Sequence, residues 1–84
     1  MSEMQRIKDW ISAYLARTLE VAPDLIDPEL QFDEYGIDSR TAAELIGALG
    51  EWLGRDLDPS IIYDYPSIDE LSQHLSTAAE VSPS

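Results

Sequence analysis

The strongest constraint on the fold is the run from Ser39 to Leu53, in which apolar side chains recur at helical spacing. Projected at about 100° per residue, the run has one apolar arc that must face a core. The arc consists of Ala42, Leu45, Ile46, Leu49, Trp52 and Leu53. Asp38 or Ser39 can cap the amino end, and Gly54 stands where a left-handed residue commonly ends a helix. The sequence therefore predicts an amphipathic helix from Ser39 to Leu53.

Three further helices are predicted, and no strand pattern competes with them. The first runs from Glu3 to Glu20, and a short one runs from Pro59 to Tyr63. The last opens with Ser67 and Glu70, which have the spacing of a capping box. Its buried stripe comprises Ile68, Leu71 and Leu75. The predicted fold class is all-α: a small four-helix bundle with a long loop between helices 1 and 2 and a short third helix.

The long loop contains apolar residues, which we expect to pack onto the helices because a loop of this length otherwise lacks support. They are Leu25, Ile26, Leu30, Phe32 and Tyr35. At the other end of the chain the periodicity fades. We therefore expect one domain over residues 1–78 and a flexible tail or the start of a linker over residues 79–84.

Charge narrows the class of partner. The 84 residues carry a net charge of −12 and no cysteine, which excludes disulfides and thiolate metal sites. Between Asp24 and Glu70, thirteen acids are balanced only by Arg40 and Arg55. Such a surface repels nucleic-acid phosphates and anionic lipids and attracts basic protein patches. No apolar run is long enough to span a membrane, so a cytoplasmic protein without nucleic-acid or membrane partners is expected.

Ser39 is the candidate functional residue. Its hydroxyl lies at the mouth of the second helix, where free backbone amides and the helix dipole favour a phosphoryl group. The side of that helix away from the core carries small and charged residues. It carries Arg40, Ala43, Glu44, Gly47, Gly50 and Glu51. Two glycines within one helix indicate either close approach by another surface or glycine that tertiary packing tolerates.

These features resemble the acyl carrier proteins, in particular the carrier domains of polyketide synthases. The resemblance rests on the step Gly36-Ile37-Asp38-Ser39 before the second helix and on Phe32-Asp33-Glu34-Tyr35 ahead of it. It also includes the downstream stretch Ile62-Tyr63-Asp64-Tyr65-Pro66-Ser67. The similarity extends from about Ile7 to Leu75.

The resemblance implies that Ser39 receives 4′-phosphopantetheine from coenzyme A through a separate phosphopantetheinyl transferase. Asp38 would contact the transferase and lie beside the phosphate and its metal. Partners would dock on the second helix and the loop before it, with docking residues Arg40, Ala43, Glu44, Gly47 and Glu51. They would include an acyl-loading enzyme, either an acyl-adenylate ligase or an acyltransferase, and a ketosynthase or other synthase domains. The chain itself would have no catalytic residue and no resident metal.

Arg40 departs from the family pattern, which has leucine or methionine after the serine. An arginine in a first helical turn opposes the helix dipole, so local stability does not explain it. It implies an altered partner contact or a cation near the prosthetic phosphate. Leu45 occupies the position where carriers of β-branching cassettes have tryptophan. The run from Glu51 to Arg55 instead resembles loading carriers served by fatty acyl-adenylate ligases.

Other functions fit less well. The only histidine, His74, lies in the fourth helix, and Ser39 lacks the flanking glycines of a hydrolase elbow. A calcium loop with Gly36 at its sixth position would place Gln31 and Ala42 where carboxylates are needed. Two alternatives remain open: a peptidyl carrier of nonribosomal synthesis, and an acidic helical adaptor that carries no modification.

Overall fold

The chain folds into four α-helices in a computed structural model, which describes residues 2–80 and the side chains of residues 2–77. The helices are α1 (Glu3–Leu19), α2 (Ser39–Leu53), α3 (Ile61–Asp64) and α4 (Ile68–Glu80). The predicted all-α fold is confirmed, and the predicted bounds of α2 match at both ends. The first helix ends one residue early because Glu20 takes a left-handed conformation, with φ of 58°. The third begins after a turn at residues 59–60 rather than at Pro59.

The core lies between α1, α2 and α4. Its fully buried hydrophobic residues are all aliphatic: Ile7, Ile11, Leu15, Leu45, Ile46, Leu49, Ile68 and Leu71. Leu75 is almost fully buried as well, so the stripe predicted for α4 is confirmed. The prediction was wrong for Trp52, which keeps 40% of its surface exposed. Its indole stacks on Trp10 of α1, with ring centroids 5.5 Å apart, so Trp52 covers the edge of the core and does not enter it.

The long loop is more ordered than its sequence indicates, since it contains two short 3-10 turns, Pro23–Leu25 and Phe32–Tyr35. Ile26 and Phe32 are buried as predicted, and Tyr35 packs against the core. Leu25 was predicted to pack in the same way but is 70% exposed. It belongs to the first turn, none of whose residues is buried.

Backbone hydrogen bonds attach this loop to the start of α4. Phe32 N–H donates to Pro66 O over 2.7 Å, and Asp69 N–H donates to Pro28 O over 3.0 Å. Within the loop, the Tyr35 hydroxyl donates to Asp27 O and accepts from Asp27 N–H. These bonds hold the second 3-10 turn beside the junction between α3 and α4.

The fourth helix begins with half of the predicted capping box. Ser67 Oγ accepts a hydrogen bond from Glu70 N–H over 3.2 Å, which satisfies one of the free amides of the first turn. The helix continues to Glu80, beyond the domain boundary expected at residue 78. Residues 81–84 of the predicted tail lie outside the described residues, so the tail itself stays a prediction.

Candidate functional site

Ser39 is the first residue of α2, and its side chain is exposed. The residue before it, Asp38, is the N-cap, and its Oδ1 accepts a hydrogen bond from Thr41 N–H over 2.8 Å. The sequence alone did not decide whether Asp38 or Ser39 is the N-cap, and in the structure the N-cap is Asp38. The N-cap acceptor is therefore Asp38, and Ser39 is an exposed residue at the amino end of α2.

The cap also fixes the charge beside Ser39. The hydrogen bond from the Thr41 amide holds the pKa of Asp38 below its ordinary value of 3.8, and the nearby Arg40 charge makes a smaller contribution in the same direction. Asp38 is consequently ionised at neutral pH. A negative carboxylate thus stands directly before the exposed hydroxyl.

A cleft of about 270 Å³ opens next to Ser39, between the second 3-10 turn and α3. Phe32, Ala42 and Ile62 line it and are themselves buried, so they form an apolar floor. Its rim includes the acids Asp33 and Asp38. The loop-to-α4 hydrogen bonds position one wall and the short α3 positions the other. The hydroxyl of Ser39 therefore lies at the mouth of a small apolar groove.

The side of α2 away from the core, here called the outer face, presents the five residues predicted to dock partners. Arg40, Ala43, Glu44, Gly47 and Glu51 are all exposed. The helical projection also placed Gly50 on this face. That prediction is wrong, because Gly50 is buried. The projection failed there because the loop after α2 folds back: an added Cβ at Gly50 would lie 2.7 Å from Arg55 O. At Gly47 the same Cβ would meet open space.

Arg40 pairs with a residue on the same helix. Its Nε lies 3.9 Å from Glu44 Oε2, with side-chain exposures of 88% and 61%. Such an exposed pair contributes little to stability, about 0–0.5 kcal/mol, because solvent screens it. The guanidinium therefore remains available beside Ser39.

Sequence reasoning missed the role of Tyr63. Its ring lines the cleft while 73% of the residue is exposed, so it forms a projecting wall. The signal was its place in the Ile62-Tyr63-Asp64-Tyr65-Pro66-Ser67 stretch, which is part of the family resemblance. His74, by contrast, stacks on Tyr65 with ring centroids 4.0 Å apart and does not line the cleft.

Two findings concern other kinds of site. Over residues 2–80, no helix has both the length and the hydropathy that crossing a membrane requires. In the same part of the chain, no three acidic or histidine side chains gather as a metal site would need.

Known proteins are similar to the chain in sequence. The chain matches the family model of the phosphopantetheine attachment site over residues 9–75. It is 36% identical over 77 residues to a phenolphthiocerol/phthiocerol polyketide synthase protein of Mycobacterium tuberculosis, covering 92% of this chain and 4% of that protein. It is also 31% identical over 70 residues to the acyl carrier protein TtuC of Teredinibacter turnerae, covering 83% of this chain and 80% of that one. The chain thus spans only a small part of the mycobacterial synthase.

Solved structures agree in fold. A free-standing peptidyl carrier protein from Acinetobacter baumannii superposes with a TM-score of 0.85 at 30% identity, covering 92% of this chain and 96% of that one. An acyl carrier protein from Anabaena with a variant phosphopantetheinylation-site sequence gives a TM-score of 0.84 at 39% identity, covering 89% and 85%. Both are carriers with the same helical architecture, which confirms the resemblance inferred from the sequence. The chain belongs to the phosphopantetheine-binding carrier family, whose members bear a covalently attached 4′-phosphopantetheine.

Proposed function

We propose that Ser39 is the attachment site of 4′-phosphopantetheine and that the chain carries acyl intermediates of polyketide assembly. The observation that carries the proposal is the exposed Ser39 hydroxyl at the amino end of α2, beside the apolar cleft. The match to polyketide synthase carrier segments supports the choice of cargo class. We further propose that the chain works in the cytoplasm, where coenzyme A is available.

The residues around Ser39 fit the group. A phosphate on the first residue of α2 would lie near the amino end of the helix dipole, which favours negative charge. The neighbouring cleft has an apolar floor and polar rim, which suits a flexible arm with amide and methyl groups. When attached, the group supplies a terminal thiol that holds the acyl cargo as a thioester.

Attachment requires only one bond exchange at this chain. Ser39 Oγ loses its proton and forms a bond to the phosphorus of coenzyme A, while the pyrophosphate bond breaks and adenosine 3′,5′-bisphosphate leaves. The transferase supplies the base and Mg²⁺ for this step. Asp38, which is ionised and exposed, is placed to contact that metal or the transferase.

The outer face of α2 is the proposed docking surface for the transferase, the acyl-loading enzyme and the ketosynthase or other synthase domains. Glu44 and Glu51 supply acids for basic patches on these partners, and Ala43 and Gly47 keep the surface between them low. The chain contributes no catalytic group of its own in this proposal. His74 is occupied in its stack on Tyr65 and is not among the residues that line the cleft.

Attachment is tested by intact mass after incubation with coenzyme A and a promiscuous phosphopantetheinyl transferase. We expect the native chain to gain one phosphopantetheine and Ser39→Ala to gain none, because the acceptor oxygen is removed. Ser60→Ala, which alters another exposed serine, is the matched control and should gain one. A native chain that stays unmodified while a known carrier is loaded would instead favour the unmodified adaptor.

Docking is tested by the initial rate of that modification. Reversing one charge on the outer face, in Glu51→Lys, should lower kcat/KM several-fold at low salt, and added salt should reduce the difference because the attraction is screened. Glu29→Lys, an exposed loop position, makes the same change in net charge away from α2. Equal losses in the two variants would show that net charge matters and the proposed face does not.

The second candidate is a peptidyl carrier, which the Acinetobacter structure favours. The two functions share the attachment chemistry and differ in cargo. Purified modified chain can be offered to a fatty acyl-adenylate ligase, an acyltransferase and an amino acid-activating enzyme, with loading read by mass. Loading by either of the first two enzymes supports the acyl carrier, whereas loading by the third alone supports the peptidyl carrier.

A further inference from the structure

Arg40 has one weak partner in the unmodified chain. Its Nε lies at the outer limit of an ion pair with Glu44, and 88% of its side chain is exposed. A basic residue that precedes an acid by four positions is the less favourable order in a helix, and the helix dipole disfavours a cation in the first turn. Glu44 therefore holds the guanidinium loosely.

The surroundings of Ser39 become more negative once a phosphate is attached. Asp38 stands ionised on one side of the serine, and Asp33 lies on the rim of the same cleft. A phosphodiester adds another negative charge to this group. Arg40 follows Ser39 in the chain and is exposed, whereas three of the other basic residues are engaged elsewhere. Arg6 pairs with Glu3, Lys8 pairs with Asp69, and Arg55 donates to Leu75 O.

We propose that Arg40 leaves Glu44 and binds the phosphodiester on Ser39 when 4′-phosphopantetheine is attached, so that modification frees the Glu44 carboxylate on the outer face of α2. This inference rests on the proposed attachment at Ser39. It treats Arg40 as a positioning residue for the phosphate and gives the modified and unmodified chains different docking surfaces.

The exchange follows from the chemistry of the two anions. A guanidinium presents paired N–H donors that match two phosphate oxygens, and such charge-assisted bidentate contacts are stronger than a single long ion pair. The move also lowers the repulsion between the phosphate and Asp38. The freed Glu44 makes the docking surface more acidic only in chains that bear the arm. Basic partners that use the arm would therefore favour the modified chain.

NMR of the native chain before and after modification tests the exchange. The Arg40 Nε–Hε resonance should shift on attachment, and the Glu44 side-chain carboxyl resonance should move toward that of an unpaired glutamate. The Glu44→Gln variant lacks the original partner of Arg40. After modification, its Arg40 resonance should have the same position as in the modified native chain. Intact mass is recorded on each sample, so that failure to attach the arm is seen separately.

Phosphorus NMR of the modified variants gives a second reading. The phosphodiester resonance should differ between native and Arg40→Leu and should return part of the way in Arg40→Lys, which keeps the charge but not the fork. Arg17→Leu, which removes an exposed arginine from the last turn of α1, should leave it unchanged. Attachment should also raise Tm more in the native chain than in Arg40→Leu, by about 2 °C at low salt.

The outcomes separate the two proposals. A chain that gains no mass overturns the attachment at Ser39 and this inference with it. Full attachment with an unmoved Arg40 resonance, and with the same phosphorus resonance in native and Arg40→Leu, overturns the exchange alone. A phosphorus resonance that also moves in Arg17→Leu would attribute the effect to net charge and would likewise overturn it.

Discussion

At its carboxyl end α2 is packed into the bundle, whereas at its amino end its first residues project into solvent. Near the carboxyl end, Gly50 is buried under the following loop, and Trp52 stacks on Trp10. Arg55 then joins this loop to α4 through a 3.1 Å hydrogen bond to Leu75 O. Near the amino end, Ser39 and Arg40 are exposed, and the helix is secured by its Asp38 cap.

The packed carboxyl end of α2 contributes to stability, whereas the exposed amino end contains the proposed modification site. In the proposed function the prosthetic arm is attached at the amino end, where Ser39 and Arg40 are exposed and contribute little packing. The carboxyl end fixes the position of α2 in the bundle, because its contacts join α2 to both α1 and α4. Under the proposed function, a group attached to Ser39 and a partner bound beside it would leave the core undisturbed.

The largest change in stability is expected from substitutions at the two glycines of α2, which test the difference between its packed and exposed surfaces. Gly50→Ala should destabilise the chain by about 2 kcal/mol, because the new Cβ would meet the backbone oxygen of Arg55 at 2.7 Å and the loop must move. Gly47→Ala should instead stabilise it by about 0.5–1 kcal/mol, because alanine is the better helix former and the Cβ meets open space. Urea denaturation measures both.

The pair provides its own control, since both variants add one methyl group to the same helix. Equal stabilisation in the two variants would mean that the loop after α2 does not rest on Gly50. Equal destabilisation would mean that the outer face near Gly47 is packed as well, and the contrast between free and packed surfaces of α2 would fail.

The same contrast explains which parts of the molecule the sequence could predict. The bounds of α2 follow from local signals: an acid that caps the first turn, and Gly54, whose φ of 72° suits a residue without a side chain. The exposure of Ser39 and of the residues proposed to dock partners follows from helical projection alone. These features depend on neighbours within one helix.

The misses depend on distant segments. Gly50 is buried because the loop at Arg55 returns over it, and Trp52 stays at the surface because Trp10 lies where it can stack. Helical spacing contains no information about either partner. The prediction that Leu25 packs onto the helices was wrong for a similar reason, since the turn that contains it leaves its side chain outside the core. The second 3-10 turn did have a local signal, the reciprocal cap between Gln31 and Glu34, but glutamine is an uncommon N-cap.

The smallest effect is expected at the amino end, from the charge of Asp38. Its pKa is lowered in the folded chain, chiefly by the hydrogen bond from the Thr41 amide. The stability that comes from its ionisation is therefore fully present above the ordinary value of 3.8 and is lost as pH falls through the lower folded pKa. Asp38→Asn keeps an acceptor for the cap but removes the charge. Its Tm should fall slightly below that of the native chain at pH 7, and the two should converge in acid.

Asp38→Ala separates the charge from the cap, because alanine has no acceptor at any pH. Its Tm should stay below the native value throughout the acid range, while the Asn variant converges. The charge effect should be smaller than that of Gly50→Ala, since the carboxylate is exposed and water screens it. A gap between native and Asp38→Asn that does not change with pH would show that ionisation adds nothing to the cap. The amino end of α2 would then depend on the hydrogen bond alone, and the negative charge beside Ser39 would have to be explained by its partners rather than by the fold.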